Sequence, residues 1–144
     1  MAAPQAILRV IVRAHMNMVM STSTFAQYGG LEALTGSQDS LHAMIKEFDR
    51  RRTALYDAII GIGIPCSKPK AAFYLFPNIS QFGMDSFTFA ERLLEHYGVA
   101  AVPGVEFGQL GEGHLRISYA TSFEDCMAGA DAIRRMAEDL RAGK

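Results

Sequence analysis

The stretch GHLRISYATS, residues 113–122, sets an arginine inside a short and mostly apolar run. A guanidinium is planar, stays charged at any working pH and can give two parallel hydrogen bonds to a carboxylate. Arg116 is therefore the residue of this run whose type singles it out as a candidate for chemistry. If the run is a strand, Leu115, Ile117 and Tyr119 share one face and His114, Arg116 and Ser118 the other. The same alternation also describes a half-buried strand with an ordinary wet side, and the residues alone leave both readings open. Other groups carry less. Ser67-Lys68 lies between Pro65 and Pro69 with no acid-base partner nearby in sequence, and reads as a surface turn rather than a nucleophile pair. Glu91 and Glu95 are one helical turn apart and read as a solvated face. The segment GVEFGQLGEG (104–113) lacks a GK[ST] ending and a following helix, so it reads as a loop between strands rather than a phosphate cradle.

Composition narrows the class. The chain has 144 residues, of which 49% are hydrophobic and 20% charged, with a net charge of -1. That is the size and make-up of one globular domain with a real core. Lys and Arg are scattered except for Arg50-Arg51-Arg52, which Glu47 and Asp49 can neutralise at helical spacings. The triplet reads as a solvated helix face, and no nucleic-acid partner is expected. Cys66 and Cys126 are far apart, and His15, His42, His96 and His114 are dispersed, so no metal or redox spacing exists. The run AILRVIVRAHMNMVM is broken by Arg9, Arg13, His15 and Asn17 and is neither a signal peptide nor a membrane span. A cytoplasmic location is the default expectation.

These residues need elements to hold them. A first helix follows Pro4 through Ile7, Leu8, Ile11 and Val12. STST (21–24) offers capping hydroxyls for a second, FAQYGGLEAL, which ends at Gly36. Ser37 opens a long third helix with Asp39 in its first turn and Leu41, Met44, Ile45, Phe48, Leu55 and Ile59 at helical spacing. It dies in GIGIP (61–65). AAFYLFP (71–77) reads as a buried strand and SFTFAERLLEHYG (86–98) as a helix. VAAVPG (99–104) reads as a strand stopped by a turn, followed by the Arg116 strand. A capping box, either Thr121 with Glu124 or Ser122 with Asp125, then starts a last helix striped by Phe123, Met127, Ala130, Ile133, Met136 and Leu140. The expected fold class is α/β (α+β): strands near 72–76, 99–102 and 114–119 in one small sheet, covered on one side by helices near 86–97 and 122–141.

Three segments, PKAAFYLFPNIS, FAERLLEHYGVAAVPGVEFG and GHLRISYATSFED, resemble the C-terminal part of class I pyridoxal-phosphate aminotransferases, the aspartate aminotransferase-like branch most of all. That family ends with a P-x-G-A-F-Y strand, a G-V-x-V-x-P-G-x-x-F-G segment and an R-[IL]-S-[YF]-A strand. STFAQYGGLEAL and the F-D-R-R-R-T-A-L helix also resemble its connecting helices. Ala71 departs from the pattern, where the family usually has glycine. The resemblance implies the C-terminal small domain of fold-type I pyridoxal-phosphate-dependent transferases, with residues 1–36 a helical segment on the large-domain side and 37–144 the small domain.

The same resemblance implies that Arg116 binds the α-carboxylate of an amino-acid substrate, in transfer of an amino group between an amino acid and a 2-oxo acid. It also implies pyridoxal phosphate and a homodimer in the full-length enzyme. The family's Schiff-base lysine sits in S-K-x-x-x-x-x-G-x-R-x-G, and none of Lys46, Lys68, Lys70 and Lys144 has that setting. Ala3-Pro4 matches family sequence that continues from the missing part. The chain thus reads as a piece of an enzyme, inactive alone, with no catalytic or cofactor-binding residue of its own and no pyridoxal phosphate expected on it. A non-catalytic module that binds small carboxylates, or a structural remnant, is the alternative. The apolar side chains Ile7, Leu8, Val10, Ile11, Val12, Met16, Met18, Val19 and Met20 are expected to seek a partner surface.

Overall fold

The computed structural model describes residues 3–19 and 21–143. Met20 and Lys144, both named above, lie outside the described residues, as do Met1 and Ala2. The chain divides into two compact units, one ending at His42 and one beginning at Ala43. In the first, helix α1 spans Gln5–Met18 and α2 spans Thr24–Thr35. Pro4 is the N-cap of α1, and its carbonyl accepts the amides of Ile7 and Leu8. Ser23 stands at the N-cap of α2, but its side chain makes no capping bond. The STST hydroxyls therefore do not do what their position suggests. Neither helix has a buried residue; Phe25 is 89% exposed and Leu34 85%.

Helix α3 covers Asp39–Gly61, and Ser37 Oγ accepts the Asp39 amide at 3.2 Å. In the second unit the α3 stripe splits. Leu55 and Ile59 are buried, whereas Met44 and Ile45 stay more than half exposed. The arginine triplet is not the simple solvated face its charges suggest. Glu47 and Asp49 do pair with it, at 2.6–2.8 Å. Yet the Arg50 guanidinium covers the Phe123 ring at 3.8 Å, Arg51 lies over Phe48, and Arg52 donates to the Pro69 carbonyl. Long arginine stems laid on aromatic surface explain the difference, because charge pattern says nothing about where the stem packs.

The sheet has three strands in the order β1-β3-β2, antiparallel throughout. Strand β1 is Tyr74–Leu75, β2 Val102–Pro103 and β3 Leu115–Ser118. The outer strands are shorter than the apolar runs proposed. Ala72, at φ 61, breaks extended geometry ahead of β1. At the far end of β2, Pro103 has no amide to give, and the Gly104 amide turns to the His114 carbonyl at 2.8 Å. Helix α4, Ser86–Tyr97, is capped by Asp85, which accepts the Thr88 amide, and is closed by Gly98 in the left-handed conformation. Helix α5, Phe123–Arg141, uses Ser122 with Asp125, the second of the two capping boxes.

Leu115 and Ile117 of β3, with Tyr119 just beyond its end, face this helical layer, where they meet Leu55, Leu75, Phe89, Leu93, Ile133 and Met136 in one core. Each such side chain removed from water contributes about 1.5–3 kcal/mol. The Tyr119 hydroxyl is satisfied by the Ala72 carbonyl at 3.0 Å. Burial thus fixes the strand's register, and with it the face that Arg116 takes. Among the described residues no helix is long and apolar enough to cross a membrane.

Candidate active-site face

Arg116 sits at the middle of the central strand, opposite Val102 of β2, with buried neighbours on either side in sequence. Its guanidinium carbon lies 4.6 Å from the Tyr74 ring centre and 4.7 Å from that of Phe107. Tyr74 comes from β1, paired with Ser118. Phe107 comes from a short 3-10 turn, Gly104–Phe107, in the glycine-rich loop. Two rings on a guanidinium hold it in place while leaving its edge N–H groups free of competing anions. Among the described residues no carboxylate pairs with Arg116, in contrast to Arg50, Arg51, Arg52, Arg134 and Arg135. A cation that the fold fixes but does not neutralise is suited to receive an anion from outside.

The rest of the face is aromatic and polar. The bridge between Asn78 and His114 continues the β1–β3 register, so Phe76 falls opposite Arg116. The Phe76 ring stacks on His114 with centres 5.0 Å apart and planes 6° from parallel, and meets Phe107 edge-on at 6.3 Å. Asn78 Oδ1 accepts the Ser80 amide, which leaves Nδ2 to donate to His114 Nε2 at 3.3 Å. His114 Nδ1 then carries the proton and donates to the Glu112 carbonyl at 3.1 Å. Phe76 and Phe107 stay exposed at 38% and 52%. The face is open, with an apolar floor around one cation.

The loop that delivers Phe107 is tightly built. A second 3-10 turn, Gln109–Gly111, doubles it back so that the Gly104 and Gly111 backbones touch with no room for a Cβ on either. At its exit the Glu112 carboxylate accepts from Ser86 N at 2.7 Å, Ser86 Oγ at 2.9 Å and Gly113 N at 2.7 Å. The Gly113 and Ser86 amides, with the Ser86 hydroxyl, hold this carboxyl below its usual range. The sequence pointed to Arg116 alone. It missed Tyr74 and Phe107, although strand alternation from Leu75 could have marked Tyr74. It also missed Glu112, whose signal was a lone acid between glycines at the loop's end.

The family model described as aminotransferase class I and II matches residues 1–133. This chain belongs to that family. It is 40% identical over 145 residues to an aspartate aminotransferase of Pyrococcus abyssi, covering 99% of this chain and 36% of the relative. A probable N-acetyl-LL-diaminopimelate aminotransferase of Bacillus subtilis is 39% identical over 131 residues, covering 91% of this chain and 33% of the relative. Among solved structures, the aromatic aminotransferase from Pyrococcus horikoshii OT3 superposes with a TM-score of 0.89 at 37% identity, over 97% of this chain and 38% of that one. The fold is thus the aspartate aminotransferase-like, fold-type I architecture, and the chain spans about a third of the length of the relatives it matches.

Family membership implies pyridoxal phosphate in the full-length enzymes. The residues present do not themselves fit that group. Lys46 is exposed on α3, Lys68 lies over the Tyr56 ring, and Lys70 lines an open groove with Met44, Phe48 and Tyr119. Lys70 shares that groove with Arg52 and Asp49.

Proposed function

We propose that this aminotransferase chain supplies, within a larger pyridoxal-phosphate-dependent enzyme, the face that receives the α-carboxylate of the amino acid and of the 2-oxo acid, with Arg116 as the group that grips it. The observation that carries the reading is the guanidinium fixed between Tyr74 and Phe107 with no carboxylate partner among the described residues. Two parallel N–H donors set the carboxylate's plane, and the neighbouring rings exclude water from one side of it. Pyridoxal phosphate, held by the rest of that enzyme, would supply an electron sink for the substrate's α-carbon. Residues 1–36 belong on this reading to the large-domain side, the working enzyme is a homodimer, and the chain by itself is inactive.

The reading is tested in a polypeptide where this chain replaces the matching third of a relative such as the Pyrococcus abyssi enzyme. Arg116→Lys is expected to raise KM for the amino donor by about tenfold to a hundredfold, as loss of a bidentate charged pair does. The visible absorbance of the bound cofactor is expected to remain. Unaltered kinetics in Arg116→Lys would remove this residue from the site.

A further inference from the structure

We infer that Glu112 is a positioning residue for Arg116, acting through Ser86 and the 104–107 turn to hold the Phe107 ring over the guanidinium. This rests on the proposed role of Arg116 and adds a second group on which that role depends. Among the described residues no hydrogen bond joins Glu112 or Ser86 to Arg116 directly; the connection runs through the loop's own hydrogen bonds. Ser86 is the first residue of α4 and is fully buried. Its hydroxyl donates to Glu112 Oε2 and in return accepts the Val105 amide at 3.4 Å. The Val105 carbonyl accepts the Gly108 amide at 2.9 Å. Val105 is thus tied at both its amide and its carbonyl, and Phe107 lies inside the turn that the Gly108-to-Val105 bond closes. The other Glu112 oxygen takes the Ser86 and Gly113 amides together, which joins the start of α4 to the residue before His114.

One carboxylate therefore links the helix N-terminus, the turn carrying Phe107 and the approach to the Arg116 strand. Glutamine at 112 keeps the size but can place only one oxygen where two acceptors are needed, and its amide N–H₂ opposes a donor. The Gly104–Gly111 contact and the Gly104-to-His114 bond would still hold the loop closed. What loosens is the attachment of Val105, and with it Phe107.

The test uses the 144-residue chain and two readouts. Ring currents from Tyr74 and Phe107 are expected to shift the Arg116 δ-methylene protons upfield in its NMR spectrum, and Phe107→Ala sets the value with one ring removed. Titration with succinate, against chloride at equal ionic strength, reads carboxylate binding at Arg116 Nε–H. Glu112→Gln and Ser86→Ala are each expected to move the δ-proton shift at least half-way to the Phe107→Ala value and to weaken succinate several-fold. A lower melting temperature with the Arg116 shift and succinate response unchanged would make Glu112 a merely structural carboxylate and overturn the inference. If Glu112→Gln fails to fold, Ser86→Ala decides by the same readouts, since it leaves Glu112 and both backbone donors in place. A parent chain that ignores succinate while the variants still shift Arg116 would refute the carboxylate reading and leave the positioning role standing.

Discussion

Replacing Gly104 by alanine asks how much the site depends on the doubled-back loop. Gly104 does not need a left-handed backbone, so any cost comes from space. A Cβ there would stand 2.7 Å from the His114 carbonyl oxygen and 3.0 Å from the Gly111 carbonyl carbon, with the Gly111 oxygen closer still, where ordinary contact begins near 3.4 Å. Both neighbours are backbone and cannot swing aside as a side chain would. Overpacking of this kind costs about 1–3 kcal/mol. The bond from the Gly104 amide to the His114 carbonyl must stretch as well, adding about 1 kcal/mol. The expected total is about 2–4 kcal/mol.

Gly129 supplies the opposite sign. It lies inside α5 with nothing within 4 Å of an added Cβ, so Gly129→Ala is expected to stabilise by about 0.5–1 kcal/mol. The assay is urea unfolding followed by near-ultraviolet circular dichroism. The chain has no tryptophan, and Tyr56, Tyr74, Tyr97 and Tyr119 report the unit that holds the site. With a slope of about 2 kcal/mol per molar, Gly104→Ala is expected to lower the midpoint by about 1–2 M. A Gly104→Ala chain within about 0.5 kcal/mol of the parent would refute the packing argument.

Two further outcomes are expected. Tyr119→Phe removes the donor to the Ala72 carbonyl and keeps the buried ring, so unfolding should cost about 1 kcal/mol less than in the parent by the same urea assay. Glu47 is held at about 2 rather than 4.5, first by its hydrogen bond to Arg50 and then by that to Arg51. A carboxylate lowered in this way contributes stability that is present above 4.5 and is lost as pH falls toward about 2. Acid titration of Glu47→Gln should therefore show a shallower loss across that window, with the difference shrinking in high salt because the pair faces water. Parent and variant with the same acid limb would remove the pair from the stability of α3.

What could be read from sequence divides by distance along the chain. The face taken by Arg116 follows from its neighbours, because Leu115, Ile117 and Tyr119 alternate with it and their burial sets the register. Ser122 with Asp125 and Gly98 were legible for the same reason, since a cap is a bargain among residues three or four apart. The ring pair on Arg116 was not, because Tyr74 arrives from a strand some forty residues earlier and Phe107 from a loop joined to α4 by the Glu112–Ser86 bond. Ser23 shows the reverse error. A favourable residue type at a cap position makes no bond unless the backbone turns its amides toward it. The arginine triplet was judged by charge alone, whereas Phe123 and Phe48 decide where two of those guanidinia rest.

The strand order has a consequence for how the molecule comes into being. The middle strand, β3, is the last of the three to be synthesised, and both outer strands pair with it and not with each other. Until Leu115–Ser118 has left the ribosome, Tyr74–Leu75 and Val102–Pro103 have no ladder to join. Closing the gap from β1 to β3 is entropically costly, although the cost grows only as the logarithm of loop length. Helices α3 and α4, whose backbone hydrogen bonds are local, can form during translation. A nascent chain halted before Leu115 would hold them beside an unpaired Tyr74 and an exposed Phe89, a species that chaperones and proteases recognise. Pulse proteolysis of ribosome-bound chains should thus show resistance appearing in one step, after β3 and the start of α5 emerge from the exit tunnel.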